Sequence, residues 1–310
     1  MEAKWLVIVN PNAGSRKGER DWPEIYQLLR QKDFLFEHVF SEYHRHSISI
    51  AQKGIENGFR HIIAVGGDGT INEVVNGIFR QNTVPSRDVT LATIPVGTGN
   101  DWGRMFDIPS SYQESIDIIA EGNTFLQDAG MVTYCNGEGN RSRYFINIAG
   151  IGFDALVAKK TNSLKEKGKG NTFSYLISLF SGLLRYKHRK AEITVGESRE
   201  TMSTHLFSMN VGICQYNGGG MKQVPNAIPD DGLFDLTIIS KMKKVSMLRH
   251  VGKIFKGTHL RLPSVSSYRT PSVFIDARSP VRLEVDGESL GHSPMEFTVI
   301  PKSITVVVGT

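Results

Sequence analysis

The residues with the clearest chemical potential are Gly66-Gly67-Asp68-Gly69-Thr70. The apolar run His61-Ile62-Ile63-Ala64-Val65 delivers the chain to a turn whose glycines allow a ligand to approach the backbone closely. Thr70-Ile71-Asn72-Glu73 then reads as a capping box for a helix reaching about Phe79, and a helix start aims free amides and a positive dipole end at the same point. Such a turn attracts anions. Asp68 inside it would repel phosphate unless a divalent cation stands between them, directly or through water, and magnesium takes hard oxygen ligands of this kind. A tight turn whose aspartate only caps the helix would show the same residues. Two further loops weigh against that plainer reading. Asn10-Pro11-Asn12-Ala13-Gly14 follows the apolar run Trp5–Val9, and Pro95-Val96-Gly97-Thr98-Gly99-Asn100-Asp101 follows another at 90–94. In a parallel sheet the carboxyl ends of strands share one edge, where ligands bind, so the loops predict a nucleotide cradle with Asp101 as a second carboxylate near the metal.

The elements that must position these loops are legible along the first third. Asp21-Trp22-Pro23-Glu24 offers an N-cap, a proline in the first turn and a capping-box glutamate for a helix through Leu29. Ser111-Tyr112-Gln113-Glu114 caps another helix, with Ile116, Ile119 and Ala120 on one face and Gly122 as its stop. Strand, glycine turn and helix recur in the order of a parallel α/β sheet. After about Gln127 the pattern changes to alternating or β-branched runs at 143–148, 205–211, 233–239, 281–285 and 303–308, separated by Gly, Asn and Pro, which predicts an antiparallel sheet or sandwich. A helical segment at 171–184, flanked by lysines and arginines, and a basic amphipathic stretch at 241–256 interrupt it.

Bulk properties narrow the classes. A chain of 310 residues with 40% hydrophobic composition can bury two cores. The net charge of +5 suits anionic partners without choosing among them. Cys135 and Cys214 stand far apart with no zinc spacing, which points to a reducing compartment. The N-terminus has no signal-peptide pattern, and no apolar stretch approaches the ~20 residues of a spanning helix. The expected location is cytoplasmic, with peripheral contact at the inner membrane surface open to the basic clusters around 171–184. No basic-aromatic module suggests nucleic acid. Gly150-Ile151-Gly152-Phe153-Asp154-Ala155 matches a dinucleotide fingerprint in form, but no acidic strand end follows at the right distance, and no Walker-type loop occurs.

Taken together, Asn-Pro-x-x-Gly, Gly-Gly-Asp-Gly-Thr-x-Asn-Glu-Val-x-Asn-Gly and Pro-x-Gly-Thr-x-Asn-Asp resemble the diacylglycerol kinase catalytic-domain family, closest to its soluble bacterial lipid kinases, with sphingosine kinases as relatives. The similarity continues through Phe145 to Ala155, Pro229-Asp230-Asp231-Gly232-Leu233 and Val285-Asp286-Gly287-Glu288, and so spans nearly the whole chain. The resemblance implies a Rossmann-like parallel α/β nucleotide-binding domain over 1–127 and an antiparallel β-sandwich lipid-substrate domain over 128–310, whose last strand is free to return to the first domain. The active site is then expected in the cleft between them. It implies ATP and Mg2+ as cofactors and a membrane lipid, diacylglycerol-like or sphingoid, as substrate; a homodimer is also open. It assigns nucleotide contacts to Asn10, Pro11, Asn12, Ala13 and Gly14, to Gly67, Asp68, Gly69, Thr70, Ile71, Asn72 and Glu73, and to Thr98, with Ser41 where the family often has threonine. A magnesium site matches Asp231 with the backbone oxygens of Ile228 and Leu233, and Asp68 and Asp101 would link to it indirectly.

Phosphoryl transfer also needs a group to take the hydroxyl proton. The family places its proton acceptor in Asp286-Gly287-Glu288, and either carboxylate could serve, with Glu288 slightly preferred. Asp-Gly is equally the commonest signal for a two-residue hairpin turn. An NAD kinase shares the Gly-Gly-Asp-Gly-Thr loop but would be expected to carry a Leu-Gly-Phe loop in place of residues 97–101. A non-catalytic nucleotide or lipid sensor would be expected to have lost the loop carboxylates, which are all present.

Overall fold

Trp5–Val9 (β1) is an unbroken run of large apolar and β-branched residues, and all five are buried, as a central parallel strand requires. In a computed structural model describing residues 3–97, 99–158, 186, 188–196, 200–242 and 244–309, the chain forms two compact units, Met1–Ala129 with Lys302–Thr310, and Gly130–Pro301.

In the first unit β1 lies between Phe36–Phe40 (β2) and His61–Gly66 (β3), and Thr90–Pro95 (β4) follows β3, all parallel. The end of the long strand Glu288–Val307 (β14) adds to β4, also parallel, pairing Thr305 with Thr90 and Val306 with Leu91. Six helices connect the strands: Ala13–Arg20 (α1), Trp22–Gln31 (α2), His46–Glu56 (α3), Asp68–Arg80 (α4), Asp101–Met105 (α5) and Tyr112–Glu121 (α6). Because side chains alternate along a strand, Val7, Val9, Ile63, Val65, Ala92 and Ile94 share a face and pack with Ile25 and Leu29 of α2 and with Ile116 and Ile119 of α6. Each such buried Val, Leu or Ile contributes about 1.5–3 kcal/mol. On the other face Leu6 touches the Gly54 backbone of α3, and α3 meets α4 at Gly77, where a side chain would collide with the Ile48 carbonyl.

Local capping signals meet mixed outcomes. Ser111 accepts the Glu114 N–H at 3.4 Å and Gly122 ends α6 at φ +73, as expected. Asp21 precedes α2 but makes no capping bond; its carboxylate instead accepts the Tyr112 hydroxyl at 2.8 Å and joins α2 to α6. The Thr70–Glu73 box is overturned: α4 already starts at Asp68, with Gly67 as its cap. Glu73 accepts the Arg45 and Ser47 amides at 2.9 and 3.2 Å, so it caps α3, whose N-cap Arg45 is left-handed at φ +67. Tertiary partners outbid the local ones.

The second unit is antiparallel. Ile148–Gly152 (β7) pairs with Glu200–Gly212 (β9) and Arg282–Val285 (β13); Phe234–Ser240 (β10) lies between β9 and Val265–Thr270 (β11). Arg189–Val195 (β8) joins β9 to Ser272–Asp276 (β12), and β12 pairs with β14. The strand Thr124–Cys135 (β5) pairs with Asn140–Phe145 (β6) over residues 130–135. Phe145 stacks on Phe234 at 5.7 Å and meets Phe297 edge-on at 6.2 Å in the core. The basic stretch expected at 241–256 contains the helix Lys244–Phe255 (α7). The helix expected at 171–184 lies outside the described residues. Among the described residues no helix is long and apolar enough to cross a membrane.

Candidate active site

Three loops at the carboxyl ends of β1, β3 and β4 meet in the first unit. Asn10 organises the first: its Oδ1 accepts the Asn12 N–H at 3.0 Å, the local turn that Asn favours. Its Nδ2 donates to Thr70 Oγ1 at 2.9 Å, which ties the first loop to the second. Residues Gly14, Ser15 and Arg16 follow at φ +58, +60 and +69. Left-handed backbone costs Ser15 and Arg16 roughly 1–2 kcal/mol each, so strain is stored in this loop. A side chain at Gly14 would collide with the Val96 carbonyl, which places the first loop against the third. A Cβ on Gly67 would stand 3.1 Å from the Gly97 Cα, so the second and third loops touch backbone to backbone.

Asp68 holds this arrangement together. Its two oxygens accept the Asp101 and Trp102 amides at 3.2 and 3.1 Å, so it caps α5 rather than its own helix. A Cβ on Gly99 would lie 3.2 Å from Asp68 Oδ2 and 3.6 Å from Asp101 Oδ2, so both carboxylates face the same short stretch of backbone. Asn100, left-handed at φ +51, donates to the Gly97 carbonyl at 3.0 Å, while its buried Oδ1 has no partner. An unpaired buried acceptor costs about 1–3 kcal/mol. The sequence carried Asn100 only as part of a loop motif.

The other expected contacts are placed differently. Ser41 is buried, and its N–H bonds the Val9 carbonyl at 2.8 Å, beside the first loop. The Pro11 carbonyl accepts the Glu19 N–H at 3.1 Å, and Ala13 donates to the Asn10 carbonyl at 3.2 Å. Gly69 lies in the first turn of α4. Ile71 and Asn72 are buried within α4, and the Glu73 carboxylate is engaged by α3. Thr98 lies outside the described residues.

In the second unit Asp286 and Gly287 form the turn of the β13–β14 hairpin, at φ +47 and +83, and Val285 pairs with Glu288. Two positive φ values in succession are the two-residue turn that Asp-Gly favours. Asp286 and Glu288 therefore do not share the face of a continuous strand. Asp286 is buried, and its carboxylate accepts the Ile146, Asn147 and Ile148 amides at 3.1–3.3 Å. Glu288 opens β14 and is partly exposed. Asp231 forms an ion pair with Arg269 and accepts the Leu233 N–H at 3.0 Å, while Ile228 is 46% exposed. Arg269 reaches Asp235 too, yet burial outweighs it and raises that carboxyl.

A narrow cavity of about 30 Å³ in the second unit is lined by Phe153, Met221, Ile239 and Ile254, with Asp154 and Ser208 among its polar groups. Ser208 Oγ donates to Asp154. Burial raises the Asp154 carboxyl to about 6 against the opposing hydrogen bonds of Ser208 and Asn210. The sequence marked Asp154 as part of a motif but offered no role for it, because the ring of apolar residues around it comes from distant segments.

Two family models match: the diacylglycerol kinase catalytic domain over residues 4–132, and the YegS C-terminal NAD kinase beta sandwich-like domain over 147–308. A diacylglycerol kinase of Staphylococcus saprophyticus is 30% identical over 306 residues, covering 99% of this chain and 95% of the relative. The crystal structure of a Bacillus anthracis diacylglycerol kinase matches at TM-score 0.73 and 21% identity, over 99% of this chain and 97% of its own. Yeast NADH kinase matches at TM-score 0.57 and 13% identity, over 100% and 84%, a likeness of fold alone. With half the chain matched by one family model and a curated relative aligned along almost its full length, the chain belongs to the diacylglycerol kinase family and is a phosphotransferase with an alcohol group as acceptor.

Proposed function

We propose that the chain transfers the γ-phosphoryl group of ATP to the hydroxyl of a diacylglycerol-like lipid, with ATP held by the three loops of the first unit and the proton acceptor supplied by Glu288 of the second. The observation that carries this reading is the convergence of residues 10–14, 66–70, 96–97 and 99–101, with strained backbone, an unpaired Asn100 Oδ1 and two carboxylates around one point. Those carboxylates fit magnesium in their chemistry: Asp68 and Asp101 are hard oxygen donors and would hold it directly or through water. The loop carrying Ile228, Asp231 and Leu233 fits it less readily, because Arg269 already neutralises Asp231 and a cation there would replace it. Bound magnesium would neutralise charge on the transferring phosphoryl group.

The chain's own residues account for the remaining steps. The loop backbone and the start of α4 position the phosphates, since a helix N-terminus presents free amides. Asp286 is committed to three backbone amides, which leaves Glu288 as the carboxylate better placed to accept the hydroxyl proton.

The test is incubation of the purified chain with labelled ATP, magnesium and a panel of diacylglycerol, monoacylglycerol, sphingosine, ceramide, phosphatidylglycerol and NAD. The expected product is phosphorylated diacylglycerol, with NAD unchanged. Phosphorylation of NAD and of no lipid would reverse the assignment, and ATP binding without transfer to any acceptor would favour a sensor.

A further inference from the structure

Glu284 on β13 stands two residues before the Asp286-Gly287 turn and is only 2% exposed. A buried carboxyl is costly unless it is hydrogen-bonded, and this one is. Its Oε2 accepts the Gly287 N–H at 2.9 Å, and its Oε1 accepts Asn217 Nδ2 at 2.9 Å. Glu284 pairs across the sheet with Gly150 of β7, where any side chain would collide with Oε1. Asn217 is itself fixed: its Oδ1 accepts the Gly218 N–H at 2.8 Å, and its own N–H bonds the carbonyl of Met221, which lines the apolar cavity, at 3.0 Å. A continuous path of hydrogen bonds thus runs from the cavity wall through Asn217 and Glu284 to the turn between Asp286 and Glu288.

The geometry points to Glu284 as a positioning residue that fixes the Asp286-Gly287 turn, and with it the start of β14 where Glu288 stands, against the wall of the apolar cavity. This rests on the reading of Glu288 as proton acceptor. Burial raises the Glu284 carboxyl to about 8; the Gly287 amide opposes the rise, Asp154 adds to it, Asn217 opposes it and Asp286 adds to it. Asp154, from the segment after β7, and Asp286, in the turn, are the ionisable groups acting on it. Held neutral, Glu284 accepts both hydrogen bonds without adding a third negative charge beside them. The unfolded chain releases this proton near the ordinary value of 4.5 and the folded chain near 8, so between those values the folded state holds the extra proton and its stability falls as pH rises. Above about 8 the turn carries a buried charge beside Asp154 and Asp286.

Glu284→Ala, Glu284→Gln and Glu288→Gln chains, assayed with ATP and diacylglycerol in mixed micelles across the pH range and followed by exchange of the Gly287 amide, test the proposal. Glu284→Ala is expected to lower kcat on the order of tenfold to a hundredfold, the scale of a misplaced catalytic group, with little change in KM for ATP and faster Gly287 exchange. Glu284→Gln, which cannot ionise, keeps one acceptor for the Gly287 amide but loses the bond from Asn217, so it should recover part of the turnover at neutral pH and lack the fall in kcat expected of the parent above about pH 8. Wild-type turnover in Glu284→Ala, or a parent-like fall above that pH in Glu284→Gln, would overturn it; should the alanine chain fail to fold, the glutamine profile decides. Full activity in Glu288→Gln would remove the proton-acceptor reading instead, while the Gly287 exchange rates still decide whether Glu284 holds the turn.

Discussion

Asp68→Asn is expected to reduce phosphoryl transfer on the order of a thousandfold or more while leaving a folded protein. Asp68 accepts two amides of α5, one on each oxygen, and an asparagine offers only one acceptor there. Either the Asp101 or the Trp102 N–H would then face an NH2 group, at a cost of about 1–3 kcal/mol, within the roughly 5–15 kcal/mol stability of a domain. The larger loss is electrostatic. One of the two carboxylates facing Gly99 loses its charge, and under the proposed function that charge would hold a cation against the triphosphate. Turnover and thermal unfolding measured on the same preparation separate the two effects. Near-normal turnover would remove Asp68 from the phosphate site.

The second large effect separates the two carboxylates of the β13–β14 hairpin. Glu288→Gln should lower kcat on the order of 100- to 10,000-fold, the usual contribution of a positioned acid or base, with KM for ATP and the melting temperature little changed. Asp286→Asn should instead act on stability: one oxygen accepts the Asn147 and Ile148 amides and the other the Ile146 amide, so the new NH2 group would confront at least one of these donors. Loss of a buried charged acceptor from such a cluster costs about 3–5 kcal/mol. Equal turnover in Glu288→Gln and the parent, measured with saturating ATP and lipid, would contradict this division of roles.

What the sequence showed and what it hid follow from the range of the interactions involved. β1 was legible residue for residue because five consecutive apolar positions fill both faces of a buried strand. The start and stop of α6 were legible because Ser111 and Gly122 act within one turn of their own helix. Glu73 and Asp21 carried the same local signals and were used elsewhere, on the amides of α3 and the hydroxyl of Tyr112. Asp68 was singled out from the Gly-Gly-Asp-Gly-Thr motif, yet its bonds to α5 cross 33 and 34 positions and left no local trace. Only the last part of β14 was recognised, since Gly291 and Pro294 interrupt the pattern of a strand that runs from Glu288 to Val307. Glu284 escaped notice for a simpler reason. One charged residue between Leu283 and Val285 reads as the solvent side of a strand, whereas all three are buried.

Hydrogen exchange of the magnesium-loaded chain, with and without a non-hydrolysable ATP analogue, addresses the nucleotide cradle most directly. Slowed exchange should appear at the amides of residues 10–16, 66–70 and 96–102 together, because the three loops touch one another through Asn10, Thr70, Gly67 and Gly97. Saturable binding of the analogue that leaves all three loops exchanging as before would contradict the placement of ATP there.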